Sequence, residues 1–111
     1  MDRFHGKVEE WLSRIPSPEA KHFVVAYRHG SMSIELAAPL HPDTQNPHMQ
    51  DEIYVIVRGS GWFVNGDERH RFETGDILFV PAGVTHRFEE HSDDTLLWVV
   101  FYGREGGENV S

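Results

Sequence analysis

The sequence contains no cysteine, so disulfides, thiolate metal ligands and cysteine nucleophiles are all excluded. Basic residues are also scarce: ten lysines and arginines stand against eighteen aspartates and glutamates, for a formal net charge of −8. Because such a field repels phosphate backbones, we expect no nucleic-acid partner. No apolar run approaches the ~20 residues of a membrane helix, and the start is charged where a secretion signal would be apolar. We therefore expect a cytoplasmic protein without a membrane partner.

What the sequence does contain is typical of one globular domain. A chain of 111 residues, 39% of them hydrophobic and 25% charged, has room for a single core. We predict an N-terminal helical segment over 1–22, a β-barrel over 23–103 and a flexible tail over 104–111. Apolar side chains on one face of 7–15 indicate the first helix, and Ser17-Pro18 indicates a further helical turn. The tail is glycine-rich and polar.

From Phe23 onward the pattern changes to short β-like runs separated by turn residues. These runs start at Phe23, Ser31, Glu52, Gly61, Arg69, Asp76 and Thr95. Asn65-Gly66 predicts a tight hairpin between two of them. Many closely spaced strands without intervening helices predict an all-β fold, an antiparallel barrel or sandwich. The last run, TLLWVVFY, is apolar on both faces and therefore needs a second cover.

One charged residue opens an apolar strand face. In PHMQDEIYVIVRGSG, Glu52 shares a face with Tyr54 and Ile56, because side chains alternate along a strand. A buried carboxylate is strongly destabilising unless it is paired, hydrogen-bonded or bound to metal, so an inward Glu52 predicts a partner. His48 stands four residues before it. Farther on, GDILFVPAGVTH has the pattern strand, turn, strand and ends at His86.

Together these two segments resemble the paired motifs of the cupin superfamily. The second segment has the glycine, proline, glycine and histidine of the family motif at every spacing, namely at Gly75, Pro81, Gly83 and His86. The family asparagine that follows the histidine is Glu90 here. The first segment fits the family at its second histidine, its glutamate and its closing glycine, which are His48, Glu52 and Gly59. It departs at the opening glycine, which is Leu40, and at the first histidine, which is Asn46.

The resemblance implies an antiparallel jelly-roll barrel in which His48, Glu52 and His86 bind one divalent transition metal. Two imidazoles and a carboxylate suit iron, manganese, nickel, zinc or cobalt and leave positions open for water, substrate or oxygen. Where the family has four ligands, the alternatives for the fourth are an amide oxygen of Asn46 or Gln45, or the imidazole of His41. The loss of one imidazole predicts partial metal occupancy.

The resemblance leaves the reaction open, because proteins of one fold differ widely in activity. We expect a small metalloenzyme of the dioxygenase, isomerase, lyase or decarboxylase type. A divalent ion with one carboxylate has a formal charge of about +1, which predicts a small anionic substrate. Tyr54 is the candidate for catalytic proton transfer, since Glu-x-Tyr is similar to the order in cupin lyases acting on dimethylsulfoniopropionate; the alternative is simple core packing.

Two further expectations concern partners and the remaining histidines. A small-molecule-binding cupin without turnover is the alternative to an enzyme. Because another subunit often covers the last strand in cupins, we also expect a homodimer. Four histidines without partners at ligand spacing are predicted to be solvated: His5, His22, His29 and His91.

Overall fold

The computed structural model describes residues 3–108, which are all-β apart from one short helix. The helix, α1, spans Val8–Leu12. The strands are β1 (Phe23–His29), β2 (Met32–Ala37), β3 (Asp51–Arg58), β4 (Ser60–Asn65), β5 (Glu68–Glu73), β6 (Ile77–Val80), β7 (His86–Glu89) and β8 (Leu96–Tyr102). Within this part of the chain, no helix has the length and apolarity needed to cross a bilayer.

The strands form two antiparallel sheets. The larger sheet has the order β1-β2-β8-β3-β6 and the smaller has the order β5-β4-β7. Buried side chains from both sheets form one core: Tyr54, Ile56, Val80, Leu97 and Val99 from the larger, and Phe63, Phe72 and Phe88 from the smaller. The all-β prediction is confirmed, as is the hairpin, in which Asn65 pairs with Glu68. Closure into a jelly-roll barrel stays a prediction.

Side-chain alternation along β3 determines which groups face the core. Glu52, Tyr54 and Ile56 are buried, while Ile53 and Val55 on the opposite face are partly exposed. The predicted inward orientation of Glu52 is therefore confirmed. The carboxylate enters the core beside the apolar side chains that hold the sheets together, so its position is fixed by the packing of the whole strand.

The N-terminal segment packs on the outer face of the larger sheet. The apolar side chains that were expected to line one helix face, Val8, Trp11, Leu12 and Ile15, contact a second buried cluster formed by Val24, Leu36 and Leu96. The helix ends at Leu12 and is therefore shorter than the helix over 7–15 that the apolar pattern indicated. This packing covers only one part of the outer face and lies away from the interior between the sheets.

The predicted second helical turn is wrong. The hydroxyl of Ser17 accepts the N–H groups of Glu19 and Ala20 at 3.2 and 3.3 Å, as an N-cap would. It also donates to the carbonyl of Phe23 at 2.7 Å. Because this hydroxyl joins the turn to the first residue of β1, the chain continues into the sheet instead of forming a helix.

Residues 104–108 of the predicted tail lie against the start of β3. The N–H of Gly106 donates to the carbonyl of Met49 at 2.7 Å, and the N–H of Glu108 donates to the Asp51 carboxylate at 3.0 Å. Residues 109–111 lie outside the described part of the chain. The division into helical segment, barrel and tail stays a prediction.

Candidate metal centre

The turn before β7 is fixed against the loop before β3, and this contact brings the two sequence motifs together. The N–H of Gly83 donates to the carbonyl of His48 at 2.8 Å, and the N–H of Ala82 donates to the Asp51 carboxylate at 3.0 Å. Gly83 has a φ of 81°, a left-handed conformation that glycine adopts without strain. As a result, β7 starts with His86 beside the first residues of β3.

The imidazoles of His48 and His86 flank the carboxylate of Glu52. His48 Nδ1 and His86 Nε2 each lie 3.2 Å from Glu52 Oε1. One donor atom from each of the three residues lies within 4.8 Å of the others. Glu52 and His86 are buried, whereas the side chain of His48 is 34% exposed. The three residues that the motifs predicted to converge thus meet in the structure, with His48 on the open side.

The hydrogen bonds of His86 fit a metal ligand. Its Nδ1 donates to the carbonyl of Val84 at 2.9 Å, which leaves Nε2 directed at the site. The two polar neighbours of Nε2 are acceptors, Glu52 Oε1 at 3.2 Å and Gln45 Oε1 at 3.0 Å. Such a ring is satisfied either as an imidazolium or as a neutral ring whose Nε2 lone pair binds a cation together with those oxygens. The donor set therefore fits a divalent metal ion.

The same contacts shift the pKa values of the metal-free pair. Burial raises the pKa of Glu52, but hydrogen bonds from His48 and His86 outweigh burial and hold this pKa at about 2. Burial lowers the pKa of His86, yet the hydrogen bonds to Glu52 and to the Val84 carbonyl raise it above its ordinary value overall. A metal ion binding here would therefore displace the His86 proton, which makes metal affinity dependent on pH.

Gln45 is the amide residue that reaches the centre. Its Oε1 lies 3.0 Å from His86 Nε2 and accepts the Tyr54 hydroxyl at 3.2 Å. Its Nε2 donates to Asp43 at 2.7 Å, and the same Asp43 oxygen accepts the N–H of Phe88 at 2.9 Å. Because the amide nitrogen is held by Asp43, the amide oxygen is held toward the metal-binding group.

The other two candidates for a fourth ligand lie elsewhere. Asn46 is exposed and does not line the cavity at the site. His41 lies 3.4 Å from Asp93 and stacks on His91 with ring centroids 3.8 Å apart.

The prediction that His91 is solvated is wrong: this residue is 7% exposed and its Nε2 lies 3.2 Å from the carbonyl of Pro39. Its polar sequence neighbours gave no sign of this packing.

Tyr54 is buried beside the centre with its hydroxyl on Gln45. Burial, followed by the negative charge of Glu52, raises the pKa of Tyr54 well above its ordinary value. The phenol therefore keeps its proton at neutral pH and is available as a hydrogen-bond donor. Its role in catalysis stays a prediction.

The centre opens into a cavity of about 490 Å³. Polar residues of the centre line it, namely His48, Glu52, Gln45 and Tyr54, and so do five apolar residues: Phe23, Ala37, Leu97, Val99 and Phe101. This volume lies within the range of roughly 300–1,000 Å³ that is common for small-molecule sites. Within residues 3–108, neither lysine nor arginine lines the cavity.

Glu35 is a cavity residue that the sequence analysis missed. It lies on β2 opposite Val99 of β8, and its side chain lines the same cavity as the centre. Burial, and secondarily the charge of Glu52, raises the pKa of Glu35 to about 7. Alternation was the signal that could have found it, because Glu35 separates two apolar residues, Ile34 and Leu36, that belong to the opposite face.

Two antiparallel sheets that share one core, with two imidazoles and a carboxylate converging beside a cavity, define a β-sheet protein with a candidate metal-binding group. Residues 34–102 match the cupin domain family. The chain therefore belongs to the cupin family. An uncharacterized protein of Streptomyces coelicolor is 42% identical over 59 residues, which are 53% of this chain and 56% of that protein.

Other similarities are shorter or structural. The acireductone dioxygenase of Xenopus laevis is 39% identical over 46 residues, which are 37% of this chain but only 26% of that protein. A cupin 2 conserved barrel domain protein from Rhodopseudomonas palustris has a TM-score of 0.63 at 17% identity, with coverage of 80% of this chain and 68% of that one. The structural likeness is evidence of the fold alone.

Proposed function

We propose that this cupin is a small metalloenzyme that binds one divalent transition metal through His48, Glu52 and His86. The observation that carries this proposal is the convergence of three donor groups, of which His48 and Glu52 line a cavity. Two imidazoles and a carboxylate leave coordination positions open toward that cavity, where a substrate can bind through anionic oxygen atoms. The short similarity to acireductone dioxygenases favours a dioxygenase over an isomerase, lyase or decarboxylase.

For the fourth ligand we propose Gln45. The support is its amide oxygen, which lies 3.0 Å from His86 Nε2, whereas Asn46 is exposed and His41 contacts Asp93. A neutral amide oxygen binds transition metals more weakly than an imidazole does. We therefore expect the purified protein to be only partly loaded and to lose its metal to a chelator.

Within this proposal Tyr54 acts as a proton donor. Its raised pKa keeps the phenol protonated, and its hydroxyl already donates to Gln45 Oε1. General acid catalysis needs a proton held within hydrogen-bond reach of the reacting group. When the metal is bound, it supplies Lewis-acid polarisation of the substrate; the protein residues orient the substrate and deliver the proton.

Metal content tests the ligand assignment. Protein loaded anaerobically with Fe(II) and desalted should retain metal by elemental analysis, and His48→Ala and His86→Ala should lower that content to background. His70→Ala is the matched control, because His70 is exposed and its hydrogen bond is to Glu68. Wild-type metal content in His48→Ala would show that the assignment is wrong.

A non-catalytic binding protein is the second candidate, and the amide in place of a third imidazole favours it. Oxygen uptake separates the two candidates. The Fe(II) protein is mixed with oxygenated buffer and a panel of small ene-diols and carboxylates. Uptake that requires both Fe(II) and one of these compounds supports the enzyme. Binding of a compound without uptake or product supports the binding protein.

A further inference from the structure

We propose that the cavity selects ligands that carry a hydrogen-bond donor, an ammonium or hydroxyl group, at the end remote from the metal, and that Glu35 receives this donor. The inference rests on the proposed metal-dependent function and defines the ligand class for that site. It differs from a simple preference for anions, because the anionic oxygens of the ligand are confined to its metal-binding end.

The strand register places Glu35 two strands away from β3 on the inner face of the larger sheet. Val99 of β8 pairs with Glu35 on one side and with Tyr54 on the other, so these three residues form a row across the larger sheet. Glu52 lies one inward-facing position along β3 from Tyr54 and pairs with Phe101. Adjacent strands lie about 4.8 Å apart, so the backbones at Glu35 and Tyr54 are about 10 Å apart. This separation suits a small molecule with a chelating group at one end.

Among residues 3–108, three carboxyl groups line the cavity, and two of them already have hydrogen-bond partners. Glu52 contacts the imidazoles of His48 and His86. Asp43 accepts N–H groups from Phe88 and Gln45. Glu35 makes no hydrogen bond or ion pair with any residue from 3 to 108.

A carboxyl group that is partly buried without a partner has unused acceptor capacity. Burial and the charge of Glu52 raise the pKa of Glu35, and the opposing charges of His48 and Arg28 do not offset them. A ligand donor would supply the missing partner. A ligand carboxylate at the same place would meet Glu35 with no lysine or arginine of the described chain lining the cavity to bind it.

A matched set of chelators tests this inference. The Fe(III)-loaded protein is titrated anaerobically with three catechols that bind iron through the same two oxygens and differ at the end of a two-carbon side chain. The groups are ammonium in dopamine, hydroxyl in hydroxytyrosol and carboxylate in dihydrocaffeate. The catecholate-to-iron absorption band gives each Kd. We expect wild-type protein to bind dopamine about tenfold or more tightly than dihydrocaffeate, with hydroxytyrosol between them.

Glu35→Gln should retain its iron and reduce the dopamine-to-dihydrocaffeate preference to within about threefold, because the amide no longer attracts a cation or repels an anion. Glu105→Gln is the control: it makes the same charge change at an exposed position and should keep the wild-type preference.

Several results would overturn the inference. These are equal preferences in wild type and Glu35→Gln, failure of all three catechols to bind fully loaded protein, or loss of iron in Glu35→Gln, which would make Glu35 a ligand. Failure of wild-type protein to hold iron at all would instead overturn the proposed function and, with it, this inference.

Discussion

Glu35→Gln should stabilise the metal-free protein at alkaline pH and change its stability much less at acidic pH. The pKa of Glu35 is about 7 in the folded protein, above its ordinary value of 4.5. The folded state therefore binds this proton more tightly than the unfolded state does. The contribution of Glu35 to stability is complete below pH 4.5 and is lost as the pH rises to 7, after which it stays constant.

The size of the effect follows from the two pKa values. The rise from 4.5 to about 7 corresponds to about 3 kcal/mol of lost stability above pH 7. Because the side chain also contacts water in the cavity, screening reduces this figure, and we expect a relative stabilisation of about 1–3 kcal/mol for the variant at pH 8. At pH 5 the expected difference is below about 1 kcal/mol.

Urea unfolding monitored by tryptophan fluorescence, in chelator at pH 5 and pH 8, measures this difference. Wild type should lose stability between the two pH values relative to Glu35→Gln, and Glu105→Gln should behave as wild type. Glu52 has a pKa of about 2 and stays ionised at both pH values in all three proteins. Parallel pH dependence in wild type and Glu35→Gln would refute the argument that burial raises this pKa. A bound metal should reduce the difference, because its positive charge beside the same cavity favours the Glu35 carboxylate.

The remaining predictions concern crowding, the fourth ligand and assembly. Gly59→Ala should lower the free energy of unfolding by more than about 2 kcal/mol, as measured by denaturant unfolding. The reason is that Gly59 has a φ of 108° and that the new Cβ would lie 2.6 Å from the Cα of Thr95. Gln45→Ala should weaken metal binding several-fold in a competition titration while Asn46→Ala leaves it unchanged; the reverse order would contradict our assignment. Light scattering at micromolar concentration should show a homodimer that Phe79→Glu converts to a monomer, because Phe79 is 49% exposed on the outer sheet face; a wild-type monomer would contradict the dimer.

Local patterns predicted those features that depend on one strand or one turn. The period of two along β3 predicted that Glu52 faces inward, and it does because Tyr54 and Ile56 on the same face fill the core. The hairpin at Asn65-Gly66 depends only on the turn residues. The convergence of His48 and His86 is a long-range feature, and only the resemblance to a known motif pair predicted it.

The features that the sequence did not predict depend on side chains far apart in the chain. Gln45 and Asn46 are adjacent amides, and the choice between them depends on Asp43, which holds the Gln45 amide while accepting the N–H of Phe88. His91 is buried because His41 stacks on it, a contact between residues fifty positions apart. Residue types and local spacing carry no information on such pairings.

The three cavity carboxyls show how environment assigns different tasks to similar groups. Glu52 lies between two imidazoles with a pKa of about 2, which suits a ligand that must remain ionised beside a cation. Asp43 accepts a backbone N–H and the Gln45 amide, which suits a residue that positions another. Glu35 has a pKa of about 7 and no hydrogen bond or ion pair in the described chain, which suits a group that gains a hydrogen-bond partner only when a ligand binds. The ligand that we propose therefore has acceptor oxygens for the metal and a donor for Glu35. We expect the protein to select ligands by this polarity and not by their net charge.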